Sequence, residues 1–222
     1  MNEPHLPRSP AKEPASPENH GVLPVVAGLA RRKPSITTVS TREVYRNRWT
    51  SVREDIIERS NGERGLYGVV DKDPATIIIP IEHTPEGDYL WLVAQYRYTV
   101  SGWFYEFPQG GWERADVDLE ELAQAELREE TGLRAARLTK LAQLWIAYGV
   151  MRQEHHVFLA EEFSQGETDR DPEEHDLEVH RVPVAEFEQM LLDGRVMDNC
   201  TAAAWGVYMV WKRQTAEQGT GK

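Results

Sequence analysis

From Thr76 to Ile81 the chain reads Thr-Ile-Ile-Ile-Pro-Ile, almost wholly apolar and β-branched. A strand without a polar face must be covered from above and below, which points to a sheet lying between helical layers. Pro85-Glu86-Gly87-Asp88 supplies a turn, and Tyr89 to Tyr96 answers as a second buried strand, so the pair reads as a central hairpin. Around it the pattern predicts one or two strands over Glu43–Arg59, a turn at Asn61-Gly62, and extended segments at Leu66–Val70, Leu138–Tyr148, His155–Ala160 and Leu177–Val182. Helices are expected at Leu119–Thr131, stopped by Gly132, and near Val184–Leu192 and Cys200–Lys212. Strands and helices together give an α/β class with a mixed sheet.

The ends read differently. Residues 1–34 carry Pro4, Pro7, Pro10, Pro14, Pro17, Pro24 and Pro34 among polar residues, a density that opposes helix and sheet alike, so a flexible arm is expected there. A single domain over 35–214 and a short flexible tail over 215–222 complete the division. The balance of 25 basic against 37 acidic side chains, a net charge of −12, disfavours long nucleic acids, whose affinity comes from Lys and Arg at phosphates. No stretch approaches the roughly 20 uninterrupted apolar residues needed to span a bilayer, and no signal-peptide core is evident, so a soluble cytoplasmic protein is expected. The single cysteine, Cys200, offers no intramolecular disulfide, and no Cys/His cluster has zinc spacing. Any metal must be held mainly by oxygen.

The chemistry concentrates in Pro108-Gln109-Gly110-Gly111 and the helix that follows. On a helical wheel with Glu126 at zero, Leu119, Leu122 and Ala123 fall at roughly 20°, 320° and 60°. Glu129 and Glu130 fall at roughly 300° and 40° on the same wheel, so the apolar stripe runs straight into three carboxylates. Like charges at these spacings repel, and acids in the last turn also oppose the macrodipole. A divalent cation reverses the sign of both effects. Hard oxygen ligands without imidazole or thiolate suit Mg²⁺, with Mn²⁺ as a substitute, and Mg²⁺ keeps much of its shell for water and substrate phosphates. The bland alternative is an ordinary Glu-rich helix with a solvated acidic face. Loop acids at Asp171-Pro172-Glu173-Glu174-His175-Asp176 have the same bland reading, and His155 and His156 read as one packed and one exposed side chain.

The segment Ala125-Glu126-Leu127-Arg128-Glu129-Glu130-Thr131-Gly132-Leu133 resembles the second half of the Nudix box, lacking only its arginine. The leading glycine falls on Gly111 by strict spacing or on Gly110 with a one-residue insertion, leaving Val117 or Asp116 at the first box glutamate. Gln95-Tyr96-Arg97 and Tyr105-Glu106-Phe107-Pro108-Gln109-Gly110 are similar to signatures of the ADP-ribose and nucleoside-diphosphate-sugar pyrophosphatase branch, with Gln109 where that branch has alanine.

This resemblance implies a Nudix-type α/β/α sandwich and Mg²⁺-dependent hydrolysis of a nucleoside diphosphate linked to another group. It implies metal binding by Glu126, Glu129 and Glu130 with a backbone carbonyl of Gln109 or Gly110, and substrate contacts at Arg97 and Glu106. For Arg97 an ordinary ion pair with Glu106 is an equal reading. The general base is expected at Glu173 or Glu174. The branch is usually homodimeric, which would bring Trp49 near an adenine. Two alternatives stay open. Pro108-Gln109-Gly110-Gly111 resembles dinucleoside-polyphosphate and RNA 5′-pyrophosphate hydrolases, and a Nudix-like module could bind nucleotide without catalysis.

Overall fold

The computed structural model describes residues 33–111, 118–168 and 176–219. Most of the expected 1–34 arm therefore lies outside the described residues. Among the described residues eleven strands and three α-helices follow in chain order: β1 Ile36–Arg46, β2 Ser51–Arg59, β3 Arg64–Asp71, β4 Ala75–Thr84, β5 Gly87–Arg97, β6 Gly102–Glu106, β7 Gln109–Gly110, α1 Leu119–Thr131, β8 Leu133–Trp145, β9 Met151–Arg152, β10 Glu154–Gln165, β11 Glu178–Pro183, α2 Val184–Asp193 and α3 Asn199–Gly219.

These strands form two sheets. The first, ordered β1-β2-β3-β9, is an antiparallel meander closed by a short parallel pairing of β3 with β9. The second is ordered β11-β5-β4-β10-β8, with β6 on β5 and β7 on β4. It is mixed, because β10 runs parallel to β4 while β8 lies antiparallel on the other side of β10.

The isoleucine run explains the layers. Ile77, Ile79 and Ile81 pack with Val157, Leu159, Phe187, Trp205 and Tyr208, beneath α2 and α3. Ile78, one residue out of phase, packs with Ala123, Leu127, Phe158 and Ala160 beneath α1. Alternation along one strand thus feeds two cores, giving the α/β/α sandwich. The β4–β5 hairpin is real but brief, pairing only from Ile81↔Leu90 to Thr84↔Gly87. Beyond it the strands part, β4 to β7 and β10, and β5 to β6 and β11.

Three expectations change. Both His155 and His156 are buried, at 7% and 4% exposure, because β10 has strands on both edges and helices on both faces. The first strand begins at Ile36, ahead of Glu43, although all its residues are exposed. And α3 continues past residue 214 to Gly219, where the Thr215 hydroxyl bonds back to the carbonyls of Trp211 and Lys212 at 3.1 and 3.0 Å.

Candidate active site

Helix α1 is held at both ends by its own sequence. The Asp118 carboxylate accepts from the N–H groups of Glu120 and Glu121, and Gly132, at φ 76°, turns the chain while donating to Arg128 O. The backbone of β7 lies against the last turns of this helix. Gly110 sits so near Glu126 that a Cβ there would collide with the carboxylate. One residue earlier, the Gln109 N–H donates to Glu130 Oε2 at 3.2 Å.

Glu126 and Glu130 are 8% and 3% exposed, so the wheel's inward direction holds for both. Glu129 departs from it. This side chain is partly exposed and pairs with its neighbour Arg128, Nη2 to Oε1 at 2.8 Å. Among the described residues no three acidic, imidazole or thiolate side chains converge on one ion position. The donor chemistry still suits a hard divalent cation, since two inward carboxylates stand beside a backbone that a Cβ would fill. The single cysteine, Cys200, is no competitor. Burial, aided by the charges of Asp198 and Glu106, pushes its thiol up to about 12.

Arg97, at the end of β5, meets Glu106 at the end of β6 side-on, Nε to Oε1 at 2.8 Å and Nη2 to Oε2 at 2.6 Å. Burial opposes the guanidinium charge, but the bonds and charge of Glu106 outweigh it and raise the Arg97 pKa. Glu130 and Asp198 add to that field. Glu106 is 2% exposed, and its Oε2 also accepts from Gln109 Nε2 at 2.6 Å. The ion-pair reading of Arg97 is therefore present in the fold, with part of the guanidinium left accessible.

The second donor contact of Gln109 goes to Asp198 Oδ2, at 3.1 Å. Asp198 and its partner Thr201 were not among the sequence candidates. An aspartate just before a helix is a readable capping signal, but its link to Gln109 spans the fold. Trp49 stands at the β1–β2 turn of the other sheet with Arg48 over its ring at 4.6 Å. No hydrogen bond, ion pair or ring contact joins it to the α1 glutamates among the described residues. Glu173 and Glu174 lie outside the described residues, as do Asp116 and Val117.

A mixed sheet carrying a glutamate-faced helix beside a glycine-containing strand is the arrangement expected of a Nudix hydrolase, and the comparison with known families agrees. Residues 71–201 match the NUDIX domain, and the chain belongs to that family. The preceding residues 36–70, which form β1–β3, match the nucleoside diphosphate sugar hydrolase N-terminal domain. Together these place the chain, a Nudix pyrophosphohydrolase, in the ADP-ribose and nucleoside-diphosphate-sugar branch.

An ADP-ribose pyrophosphatase of Bacillus subtilis (strain 168) is 29% identical over 168 residues, covering 75% of this chain and 89% of the relative. One from Mycobacterium tuberculosis (strain ATCC 25618 / H37Rv) is 26% identical over 167 residues, 75% of this chain and 79% of that protein. The crystal structure of an ADP compounds hydrolase superposes with a TM-score of 0.71 at 23% identity, covering 83% of this chain and 98% of that one, and so shares the fold. Nudix hydrolases generally use divalent metal ions. Among the described residues no helix is long and apolar enough to cross a membrane.

Proposed function

We propose that this protein hydrolyses the pyrophosphate bond of ADP-ribose or a nucleoside-diphosphate sugar, giving a nucleoside monophosphate and a sugar phosphate. It acts with Mg²⁺, or Mn²⁺ in its place, as a cytoplasmic homodimer. The observation that carries this reading is the juxtaposition of buried Glu126 and Glu130 with the Gln109–Gly110 backbone, on the chain that also holds Arg97 against Glu106. The two relatives named as ADP-ribose pyrophosphatases support the substrate class.

Glu126, Glu129 and Glu130, with a carbonyl of Gln109 or Gly110, would hold the cation; Glu129 must leave Arg128 to do so. A divalent cation at such a site neutralises phosphoryl oxygens and acidifies the attacking water. Arg97 binds the diphosphate. Its Nε and one Nη2 proton are committed to Glu106, which leaves Nη1 and the outer Nη2 proton for phosphate oxygens. Glu106 thereby sets the plane of the fork.

Glu173, or Glu174 beside it, takes the proton from the attacking water. The described neighbours of that segment support the choice. Gly166 N–H is tied to Gly132 O at 2.8 Å, immediately after α1. On the far side, Glu178 pairs with Ala94 on the strand that ends at Arg97.

The homodimer rests on the first sheet, where Ile36, Val39, Val44, Tyr45, Ile56 and Leu66 are all exposed. Trp49 would then approach a partner's substrate.

Product identification by mass spectrometry in ¹⁸O-labelled water tests the reaction. ADP-ribose or a nucleoside-diphosphate sugar with Mg²⁺ should yield a sugar phosphate. Cleavage confined to dinucleoside polyphosphates or RNA 5′ ends would move the chain to that substrate class, and inertness toward every substrate would leave a binding module.

A further inference from the structure

Asp198 occupies the position just before α3, where an aspartate is expected to cap the helix. It does so. Oδ1 accepts from Cys200 N–H at 3.3 Å, and Oδ2 accepts from the N–H and the hydroxyl of Thr201 at 2.8 and 2.7 Å.

Capping does not account for its remaining bond. Oδ2 also accepts from Gln109 Nε2, whose other contact is Glu106 Oε2. The Thr201 hydroxyl, its proton committed to Asp198, accepts the N–H of Phe107 at 3.0 Å. Glu106, Phe107, Thr201, Asp198 and Gln109 therefore close a circuit of hydrogen bonds and covalent chain.

That circuit grips a segment with little support of its own. Strand β7 is only Gln109–Gly110, paired to Ile77 and Thr76. From the α1 side the segment receives the Gln109 N–H bond to Glu130, and from β4 the bond of Ile78 N–H to Pro108 O at 2.9 Å. From the α3 side it receives Asp198 and Thr201. One carboxamide also keeps the carboxylates of Glu106 and Asp198 bridged by donors, where two bare anions would repel.

We infer that Asp198 is a positioning residue for hydrolysis. Through Gln109 it fixes the carbonyls that face the cation and the Glu106 carboxylate that orients Arg97. This rests on the proposed reading of Gln109 or Gly110 as a metal-facing carbonyl and of Arg97 as the diphosphate contact. Groups that orient a ligand from behind change metal affinity by about 10- to 100-fold when removed.

Gln109→Ala separates positioning from capping, because it deletes the link to Asp198, along with the bond to Glu106, and leaves every α3 capping bond in place. The full chain would be compared with Gln109→Ala, Asp198→Ala, Asp198→Asn and the Gln109→Ala/Asp198→Ala double variant. The readouts are calorimetric Mn²⁺ binding without substrate, amide exchange of Phe107 and Gln109 in metal-free protein, and kcat and KM for ADP-ribose with Mg²⁺.

Gln109→Ala should weaken Mn²⁺ binding about tenfold, speed exchange at Gln109 and raise the ADP-ribose KM. The double variant should lose less than the product of the two single losses, since both changes cut the Gln109–Asp198 link. Asp198→Asn, whose carboxamide oxygen still accepts from Thr201 and Gln109, should recover most of the affinity.

Wild-type Mn²⁺ affinity in Gln109→Ala, or losses that multiply in the double variant, would reduce Asp198 to a helix cap. If Asp198→Ala fails to fold, Gln109→Ala and Asp198→Asn decide the matter. A wild-type chain that neither binds Mn²⁺ nor hydrolyses ADP-ribose removes the proposed function and this inference together, whereas an active wild type with an unaltered Gln109→Ala removes the inference alone.

Discussion

Gly110 lies against Glu126 with no room between them for a side chain: one added carbon would take the space of the glutamate's carboxylate. The obstacle is the mobile end of a side chain, so a substitution can be accommodated by moving Glu126 away. Gly110→Ala should therefore fold with nearly unchanged Tm while losing tenfold or more in metal affinity and turnover. Gly111→Ala makes the contrast. Its Cβ would meet the Pro74 carbonyl at 2.9 Å, a backbone atom, and should cost stability. Thermal melts and metal titrations on both variants, with Gly68→Ala as a control facing open space, separate the two effects.

Glu130→Gln preserves volume but replaces a charged oxygen pair. Turnover should fall by orders of magnitude with the fold retained. A near-wild-type rate would contradict the assignment of α1 to the chemistry.

Arg97→Lys keeps a charge but loses the planar fork that Glu106 aligns. We expect KM for ADP-ribose to rise about tenfold with a smaller change in kcat, and Arg97→Ala to be worse in both. Equal kinetics for lysine and arginine would mean that Arg97 serves only its ion pair.

Glu173→Gln should depress kcat while Mn²⁺ affinity stays nearly intact, because the role proposed for it is to move a proton without holding the cation. The same loss in Glu174→Gln alone would move the base by one position.

His155 gives a pH signature to stability. Burial, partly offset by the Asp198 charge, pushes its imidazole down to about 4 from an ordinary 6.5. His156 is shifted the same way, also mainly by burial. Between those pH values the unfolded chain binds more protons than the folded one, so stability rises with pH through this window and is lost as pH falls toward 4. For His155 the full effect is on the order of 3 kcal/mol. Urea unfolding of His155→Phe across this range should show a flatter profile than the wild type.

Much of the frame was legible because its signals are local. Alternation, β-branching and a stop at Gly132 mark β4, β5 and α1, and the bounds of α1 coincide with the sequence reading. The misses share one cause. Whether His156 is buried depends on which strands flank β10, and no periodicity within five residues carries that information. Glu129 departs from the wheel's inward direction because its carboxylate is captured by adjacent Arg128, a choice between rotamers that spacing does not encode. Asp198 is farthest from view, since its bond to Gln109 joins residues separated by 89 positions. Gln109 itself stood out as a departure from the branch pattern, and the structure supplies its local reason in two carboxylates that need one amide between them.

Strand β1 presents all of its residues to water, and among the described residues its ladder with β2 has no apolar cover on that side. Such a ladder is free to breathe. Its protons should trade with solvent at a pace set by how crowded the solution is: quickly at nanomolar dilution, slowly once molecules meet often enough to shelter one another.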